Sequence, residues 1–153
     1  MEETVKIVVV GDTNVGKTCL VKCFHTGRFP EHTVPTVFDN CDTQIVLAGR
    51  LLTLSLWDTA GDSSYDELRP LTYARTIVFL LCYSISDKAS LEHVWSKWWP
   101  EVHNFDSNVP VVLVGTKADE RGGSKNDAGE ADGYRPRSQV DYDAAHEMAK
   151  RIG

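Results

Sequence analysis

The segment from Gly11 to Thr18 has the residue types and spacing of a phosphate-binding loop. Its sequence, GDTNVGKT, matches the pattern G-x-x-x-x-G-K-[ST] and comes directly after an apolar, β-branched run. The two glycines let the backbone approach an anion, so that amide groups and the N-terminus of the next helix face it. Lys17 then supplies a cation for the outer phosphates of a nucleotide, and Thr18 a hydroxyl for Mg²⁺. The segment therefore predicts a nucleotide phosphate site.

A carboxylate suited to the metal follows a second apolar run. Leu51 to Trp57 leads into Asp58, which places an acid at the carboxyl end of a predicted strand. A second Mg²⁺ contact belongs at that place. Gly61 follows three residues later and has a backbone N–H that can face the terminal phosphate.

Another acid distinguishes between the bases. Asp119 follows the apolar run from Val111 to Gly115. A carboxylate can accept two hydrogen bonds from the N1–H and N2 amine of guanine, whereas adenine offers neither in that geometry. The aliphatic stem of Lys117 can pack along the base. Asp119 therefore favours GTP, and a P-loop ATPase or kinase is the less favoured alternative.

Apolar runs of strand length connect these motifs. Val5 to Val10, Ile77 to Tyr83 and Val111 to Val114 are nearly continuous, as in strands buried on both faces of a parallel sheet. Thr43 to Leu47 and Leu51 to Asp58 flank a short Ala-Gly-Arg segment, which predicts an antiparallel hairpin.

Helix-period segments alternate with these strands. One spans Leu91 to Val102, where Pro100 is expected to end or kink the helix, and another lies near the end of the chain after a possible cap at Ser138. Residues 26 to 40 are predicted to form a long loop. Strands alternating with helices predict a three-layer α/β P-loop domain with a mostly parallel sheet and one antiparallel edge hairpin. Residues 1–153 form one domain in this interpretation, with a surface insertion at 120–137.

Composition excludes several classes of protein. The chain has 153 residues, 42% of them hydrophobic, and a formal net charge of -6, which argues against a nucleic-acid binder built on a basic face. No apolar run approaches the roughly 18 residues of a membrane span. The four cysteines form no disulfide framework, and Cys19 and Cys23 lack the partners of a metal site. We expect a cytoplasmic domain with reduced thiols.

From Val5 onward the chain resembles the Rho family of Ras-like small GTPases. The resemblance rests on GDTNVGKT, VPTVFDN at 34–40, WDTAG at 57–61, YDELRPLTY at 65–73 and GTKAD at 115–119. Thr116, where Ras proteins have Asn, and the insertion after Asp119 are both Rho-like. The resemblance implies a Mg²⁺-dependent GTP/GDP switch in signal transduction to the actin cytoskeleton. It also implies effectors, exchange factors, GTPase-activating proteins and dissociation inhibitors as partners.

The resemblance also implies roles for individual residues. Thr36 completes the Mg²⁺ coordination with Thr18 and Asp58, and Phe29 lies against the guanine. The switch loops span about Phe29–Asn40 and Ala60–Tyr73. The nucleotide site then comprises Thr13, Asn14, Val15, Gly16, Lys17, Thr18, Cys19, Phe29, Thr36, Gly61, Thr116, Lys117 and Asp119. The expected contacts with effectors and regulators are Val37, Phe38, Asp39, Trp57, Tyr65, Leu68, Arg69 and Leu71.

Trp57 is interpreted differently from Trp95 and Trp98. Trp95 and Trp98 fit the apolar stripe of their helix and are expected to pack in the core. Trp57 lies on the strand face opposite three leucines, next to both switches, where exchange factors contact the family. Partner contact and plain packing both remain open for Trp57.

The chain departs from the family at positions that govern catalysis. Asp62 stands where the family has a Gln that orients the attacking water, and a carboxylate can only accept hydrogen bonds. Thr13 stands where a second Gly leaves room for that Gln and for a partner's arginine finger, and Thr33 replaces a Tyr. Rnd-like members depart at the first two positions too. These changes predict weak or absent GTP hydrolysis, and a fully cycling GTPase is the alternative.

The resemblance also implies that the 153 residues are shorter than a whole member of the family. Compared with the family, the chain is expected to lack the final strand, the Ser-Ala loop that helps to hold guanine, the last helix and the prenylated tail. No C-a-a-X box is present at Gly153. An expected consequence is a guanine pocket that binds more weakly, and membrane contact only through a tail outside this sequence.

Overall fold

Three strands of the sheet end in the predicted phosphate, metal and base motifs. The computed structural model describes residues 3–121 and 139–153. Within these residues the strand order is β2-β3-β1-β4-β5, and every neighbouring pair is parallel except β2 with β3. The strands are β1 Glu3–Gly11, β2 Phe38–Leu47, β3 Arg50–Thr59, β4 Val78–Ser84 and β5 Val111–Thr116. The mostly parallel sheet with one antiparallel edge is therefore confirmed.

Helices cover the sheet on both sides. None of those described is long and apolar enough to cross a lipid bilayer. They are α1 Lys17–Thr26, α2 Lys88–His93, α3 Trp99–Phe105 and α4 Tyr142–Ile152, with a π turn at Val94–Trp98 and 3₁₀ turns at Ser63–Tyr65, Arg69–Thr72 and Ala118–Glu120. The predicted insertion at 120–137 falls almost entirely outside the described residues.

Alternate residues of β1 face two separate cores. Val8 and Val10 belong to a core with Trp98 and other side chains from the α2–α3 and α4 side. Val9 points to the opposite face and packs with Val21 of α1. Because both faces of β1 are buried, its sequence is continuously apolar and does not alternate between apolar and polar residues. This double burial fixes β1, and with it the start of the phosphate loop.

The edge hairpin turns tightly. Ala48 and Gly49 have φ angles of 49° and 75°, the left-handed pair of a two-residue turn whose twist matches the strands. The predicted hairpin is confirmed, but β2 begins earlier than expected. Phe38 already pairs with Thr59, so residues 38–40 of the predicted loop belong to the sheet.

Two helix ends differ from those predicted, and of the two alternatives given for Pro100 only the helix end is contradicted. Pro100 does not end its helix, because the π turn precedes it and the proline lies in the first turn of α3, where a missing N–H costs little. The N-cap of α4 is Asp141, whose carboxylate accepts a hydrogen bond of 2.7 Å from the Ala144 amide. Ser138, the predicted cap, lies outside the described residues.

The core predicts which leucines matter for stability. Leu81 is fully buried in β4, so Leu81→Ala should lower the free energy of unfolding by about 2–5 kcal/mol. Leu71→Ala is the matched control, because Leu71 is 77% exposed, and it should change the free energy by less than about 0.5 kcal/mol. Urea unfolding measures both. Equal losses in the two variants would contradict this assignment of the core.

Candidate nucleotide-binding site

The phosphate loop has the backbone shape that its glycines predict. Gly11 and Gly16 have φ angles of 151° and 102°, and Asn14 between them is left-handed at 65°. A Cβ on Gly11 would overlap the backbone of Cys82 on β4. These positive φ angles turn the chain sharply from β1 into α1, so the loop wraps around the space before the helix.

Lys17 lies inside this loop. Its side chain is only 6% exposed, and Nζ donates to the carbonyls of Gly11 at 2.8 Å and Asp12 at 2.7 Å. Burial lowers the pKa of Lys17 to about 8, and the nearby Asp58 carboxylate acts in the opposite direction. A phosphate next to this ammonium would favour its charged form.

Three oxygen-bearing side chains meet beside Lys17. Thr18 Oγ1 donates to Asp58 Oδ2 at 2.5 Å and lies 2.9 Å from Thr36 Oγ1. Asp58 is 2% exposed, and its Oδ1 has no hydrogen-bond partner among the described residues. Burial raises the pKa of Asp58, whereas the Thr18 hydrogen bond and the Lys17 charge lower it.

The orphaned oxygen suits a cation. A buried carboxylate oxygen without a donor is costly unless something positive meets it. Carboxylate and hydroxyl oxygens are ligands that Mg²⁺ accepts. The predicted set of Thr18, Thr36 and Asp58 is therefore brought together by the fold, and its chemistry fits Mg²⁺.

The start of the second switch lies against the phosphate loop. A Cβ on Gly61 would overlap the backbone of Asp12 and Thr13, so only glycine fits here. The Ala60 amide donates to the Val37 carbonyl at 3.0 Å, which joins the two switch segments. The two switch segments are therefore in direct contact.

Asp62 is held by the residues that follow it. Its Oδ1 accepts hydrogen bonds from the Ser64 amide at 2.8 Å and from Ser64 Oγ at 2.6 Å, so it caps the 3₁₀ turn Ser63–Tyr65. These hydrogen bonds lower the pKa of Asp62. The side chain at the position predicted to be catalytic thus accepts hydrogen bonds as a carboxylate.

The base end of the site is less enclosed. Lys117 adopts a left-handed φ of 58°, and Thr116 Oγ1 contacts the carbonyls of Val15 and, at 3.0 Å, Tyr83. A cavity of about 620 Å³ reaches from the phosphate loop to Lys117. Asp119 and Phe29 do not line it, and Phe29 is 73% exposed. The cavity thus joins the phosphate loop with Thr18 and Thr36, whereas Asp58 lies behind its wall and the predicted base pocket is only partly included.

The predicted partner contacts gather around a second cavity of about 330 Å³. It is lined by Val37, Phe38, Trp57, Thr59, Tyr65, Leu68, Arg69, Leu71 and Thr72. Of the eight predicted contacts only Asp39 is outside this lining. Trp57 is half-buried, donates from Nε1 to Ser55 Oγ at 3.2 Å, and has Lys6 Nζ 4.0 Å from its ring centroid. Trp57 therefore packs against its own strand and lines the groove.

Arg69 differs from the other predicted contacts. Its side chain is 1% exposed, so it supports the second switch from inside instead of presenting a surface. Nε donates to the Ala60 carbonyl at 2.7 Å, one terminal nitrogen to Asp66 at 2.7 Å, and the other to Glu101 at 2.8 Å. Glu101 also accepts a hydrogen bond from Tyr73.

Glu101 was missed by the sequence analysis, although a signal was present. It lies three residues after Trp98 and seven after Val94, on the side of the helix that carries the apolar stripe. A charge in such a stripe indicates a buried partner. No cluster of three or more His, Cys, Asp or Glu side chains suited to a metal occurs within residues 3–121 and 139–153, and Cys19 and Cys23 are free thiols.

The Arg69 pairs predict a large stability effect. Arg69→Ala should lower the free energy of unfolding by about 3 kcal/mol, because it leaves a largely buried carboxylate unpaired. Arg50→Ala is the control, since the Arg50–Glu3 pair is 75% and 56% exposed and is worth less than about 1 kcal/mol. Urea unfolding followed by tryptophan fluorescence compares them. Similar losses would show that Arg69 is no internal support.

Comparison with known proteins agrees with this geometry. A model of the Ras family matches residues 6–153. The Ras-like GTP-binding protein RhoL of Drosophila melanogaster is 55% identical over 116 residues, which are 76% of this chain and 61% of that protein. The Rho-related protein racC of Entamoeba histolytica is 48% identical over 118 residues, 77% of this chain and 61% of its own length. The chain thus spans about three fifths of the length of these relatives, and it belongs to the Ras family, with a similarity to these two proteins that supports the Rho branch.

Proposed function

We propose that the protein is a Rho-like molecular switch that binds Mg²⁺ complexes of GTP and GDP and hydrolyses GTP slowly or not at all. The observation that carries the proposal is that Lys17 and Thr18 of the phosphate loop meet Asp58 of β3, which has one oxygen without a hydrogen-bond partner among the described residues. The buried Lys17 ammonium would bind the phosphate anion, and the buried Asp58 carboxylate would bind its metal ion. The GTP-binding relative and the Ras-family match support the same ligand.

Binding uses the charges that the fold has already desolvated. Lys17 would exchange its loop carbonyls for phosphate oxygens, and the loop amides would face the same anion. Thr18, Thr36 and Asp58 would hold Mg²⁺, which neutralises phosphate charge when bound. Asp119 would select guanine from the edge of the site.

Signalling would use the contact between the two switch segments. Thr36 lies in an exposed segment without regular structure, and its hydroxyl reaches Thr18. A terminal phosphate and metal that bind Thr36 would order this segment, and its loss would release it. The groove lined by Phe38 and Trp57 would then change shape for effectors and exchange factors, with activating proteins and dissociation inhibitors as further partners.

Slow hydrolysis follows from two side chains. Asp62 is an ionised acceptor engaged by Ser64, so it offers no donor to a transition state that gains negative charge. Thr13 adds a branched side chain where the loop meets Gly61. Both features oppose the positioning of water and of a partner's arginine.

Restoring the usual residues tests the hydrolysis proposal. Thr13→Gly with Asp62→Gln should raise single-turnover phosphate release from Mg²⁺·GTP by about 10²-fold or more, because a donor returns and space opens. Asp143→Gln, an equivalent change in the exposed first turn of α4, should leave the rate unchanged. An unmodified chain as fast as the double variant would favour a cycling GTPase.

Base selection is tested separately. GTP should displace a fluorescent GDP analogue from the chain, and ATP should not, because adenine offers Asp119 no matching donors. Asp119→Asn should reverse the preference toward xanthosine diphosphate, whose C2 carbonyl accepts from the new amide. Asp119→Ala should weaken both. Displacement by ATP, or a GDP affinity that ignores these changes, would contradict the assignment.

A further inference from the structure

The helix after β4 is built so that two side chains five residues apart point the same way. In a regular α-helix, His93 and Trp98 would be about 140° apart around the axis. The π turn Val94–Trp98 lies between α2 and α3, and the Trp99 amide donates to the Val94 carbonyl five residues back. Such a wide turn aligns residues i and i+5. His93 and Trp98 therefore share one face of this helix.

Both side chains reach one carboxylate of the phosphate loop. His93 Nδ1 lies 2.5 Å from Asp12 Oδ2, and Trp98 Nε1 donates to Asp12 Oδ1 at 2.7 Å. Trp98 is fully buried, whereas the His93 side chain is 50% exposed. Asp12 is thus gripped on both oxygens, by one internal donor and one accessible donor, and no step of the proposed binding uses its side chain.

The backbone of Asp12 is part of the phosphate site. Its carbonyl accepts from Lys17 Nζ at 2.7 Å, and its peptide lies against Gly61. The Trp98 ring in turn has the Arg69 guanidinium 4.5 Å from its centroid. Arg69 binds the backbone carbonyls on either side of Gly61, those of Ala60 and Asp62. Trp98 therefore touches supports of both the phosphate loop and the second switch.

We infer that His93 and Trp98 are positioning residues for the phosphate loop. Their hydrogen bonds to Asp12 hold the loop amides in the geometry that receives phosphate, and so they slow nucleotide release. His93 is the accessible half of this grip, which makes it a residue of the α2–α3 surface that sets how long nucleotide stays bound. The release readout depends on the proposed guanine-nucleotide function.

Release of a fluorescent GDP analogue, chased with excess GDP, tests the grip. His93→Ala and Trp98→Phe each remove one donor, and each should speed release by about 3- to 10-fold, the effect of losing one ordinary hydrogen bond. His93→Asn keeps a side-chain N–H donor at the position of Nδ1 and should stay within about twofold of the parent. Glu92→Ala is the neighbouring control on the same helix, and it should release at the parent rate. Release from His93→Ala at that same rate would overturn the inference.

A double-variant comparison separates the grip from general loosening. In an Asp12→Ala background, His93→Ala should produce no further acceleration, because the shared acceptor is gone. An undiminished effect in that background would show that His93 acts by another route. Since His93 is half-exposed, its variants test the grip without opening the core.

Amide hydrogen exchange of the nucleotide-free chain keeps the two hypotheses distinguishable. His93→Ala should exchange the Thr13 and Asn14 amides faster than Glu92→Ala does, whether or not the chain binds GDP. Failure of the parent to bind GDP with faster exchange in His93→Ala would contradict the proposed function and support the grip. If the parent binds GDP, but His93→Ala and Glu92→Ala show equal amide exchange and equal GDP release, the result would support the proposed function and contradict the grip.

Discussion

Lys17 and Asp58 are both buried at the carboxyl edge of the sheet, where charges persist only if polar groups replace the water they have lost. Lys17 meets this need with two loop carbonyls, and Asp58 with the Thr18 hydroxyl on one oxygen alone. The fold therefore provides a buried ammonium for an anion and a buried carboxylate for a cation before either ligand binds. Most other features of the site either hold these two groups in place or respond to what they bind.

The two switch segments are held to different degrees. The first runs largely exposed and without regular structure until Phe38 enters β2. The second is tied to the body of the domain by buried Arg69, which binds backbone at Ala60 and carboxylates at Asp66 and Glu101. We expect the first segment to move more on nucleotide exchange, because few contacts would have to break.

Much of the site could be predicted because it depends on short, contiguous patterns. The phosphate loop, the acid near the end of β3 and the strand lengths follow from local sequence, and the fold brings Thr18, Thr36 and Asp58 together. Ion pairs between residues far apart in the sequence could not be predicted in this way. The burial of Arg69 needs Glu101, 32 residues away, and a surface role was the natural prediction from its motif alone.

The π turn could not be predicted from the sequence for a different reason. An apolar stripe at helical spacing fits an α-helix and a helix with one wide turn almost equally well. The hydrogen bond from the Trp99 amide to the Val94 carbonyl distinguishes them, and with it the contacts of Trp98 and His93 with Asp12. The cap that Asp62 places on its own 3₁₀ turn was equally invisible, because the residue was compared with a Gln that acts in catalysis and not with a cap.

The most direct test of the central claim is the nucleotide that the protein keeps. The chain is loaded with Mg²⁺·GTP, freed of excess nucleotide, incubated for several hours and denatured, and the released nucleotide is identified by chromatography. A site built around Lys17 and Asp58 but impaired by Thr13 and Asp62 predicts intact GTP. Recovery of GDP alone would contradict slow hydrolysis, and recovery of no guanine nucleotide would contradict the binding site itself.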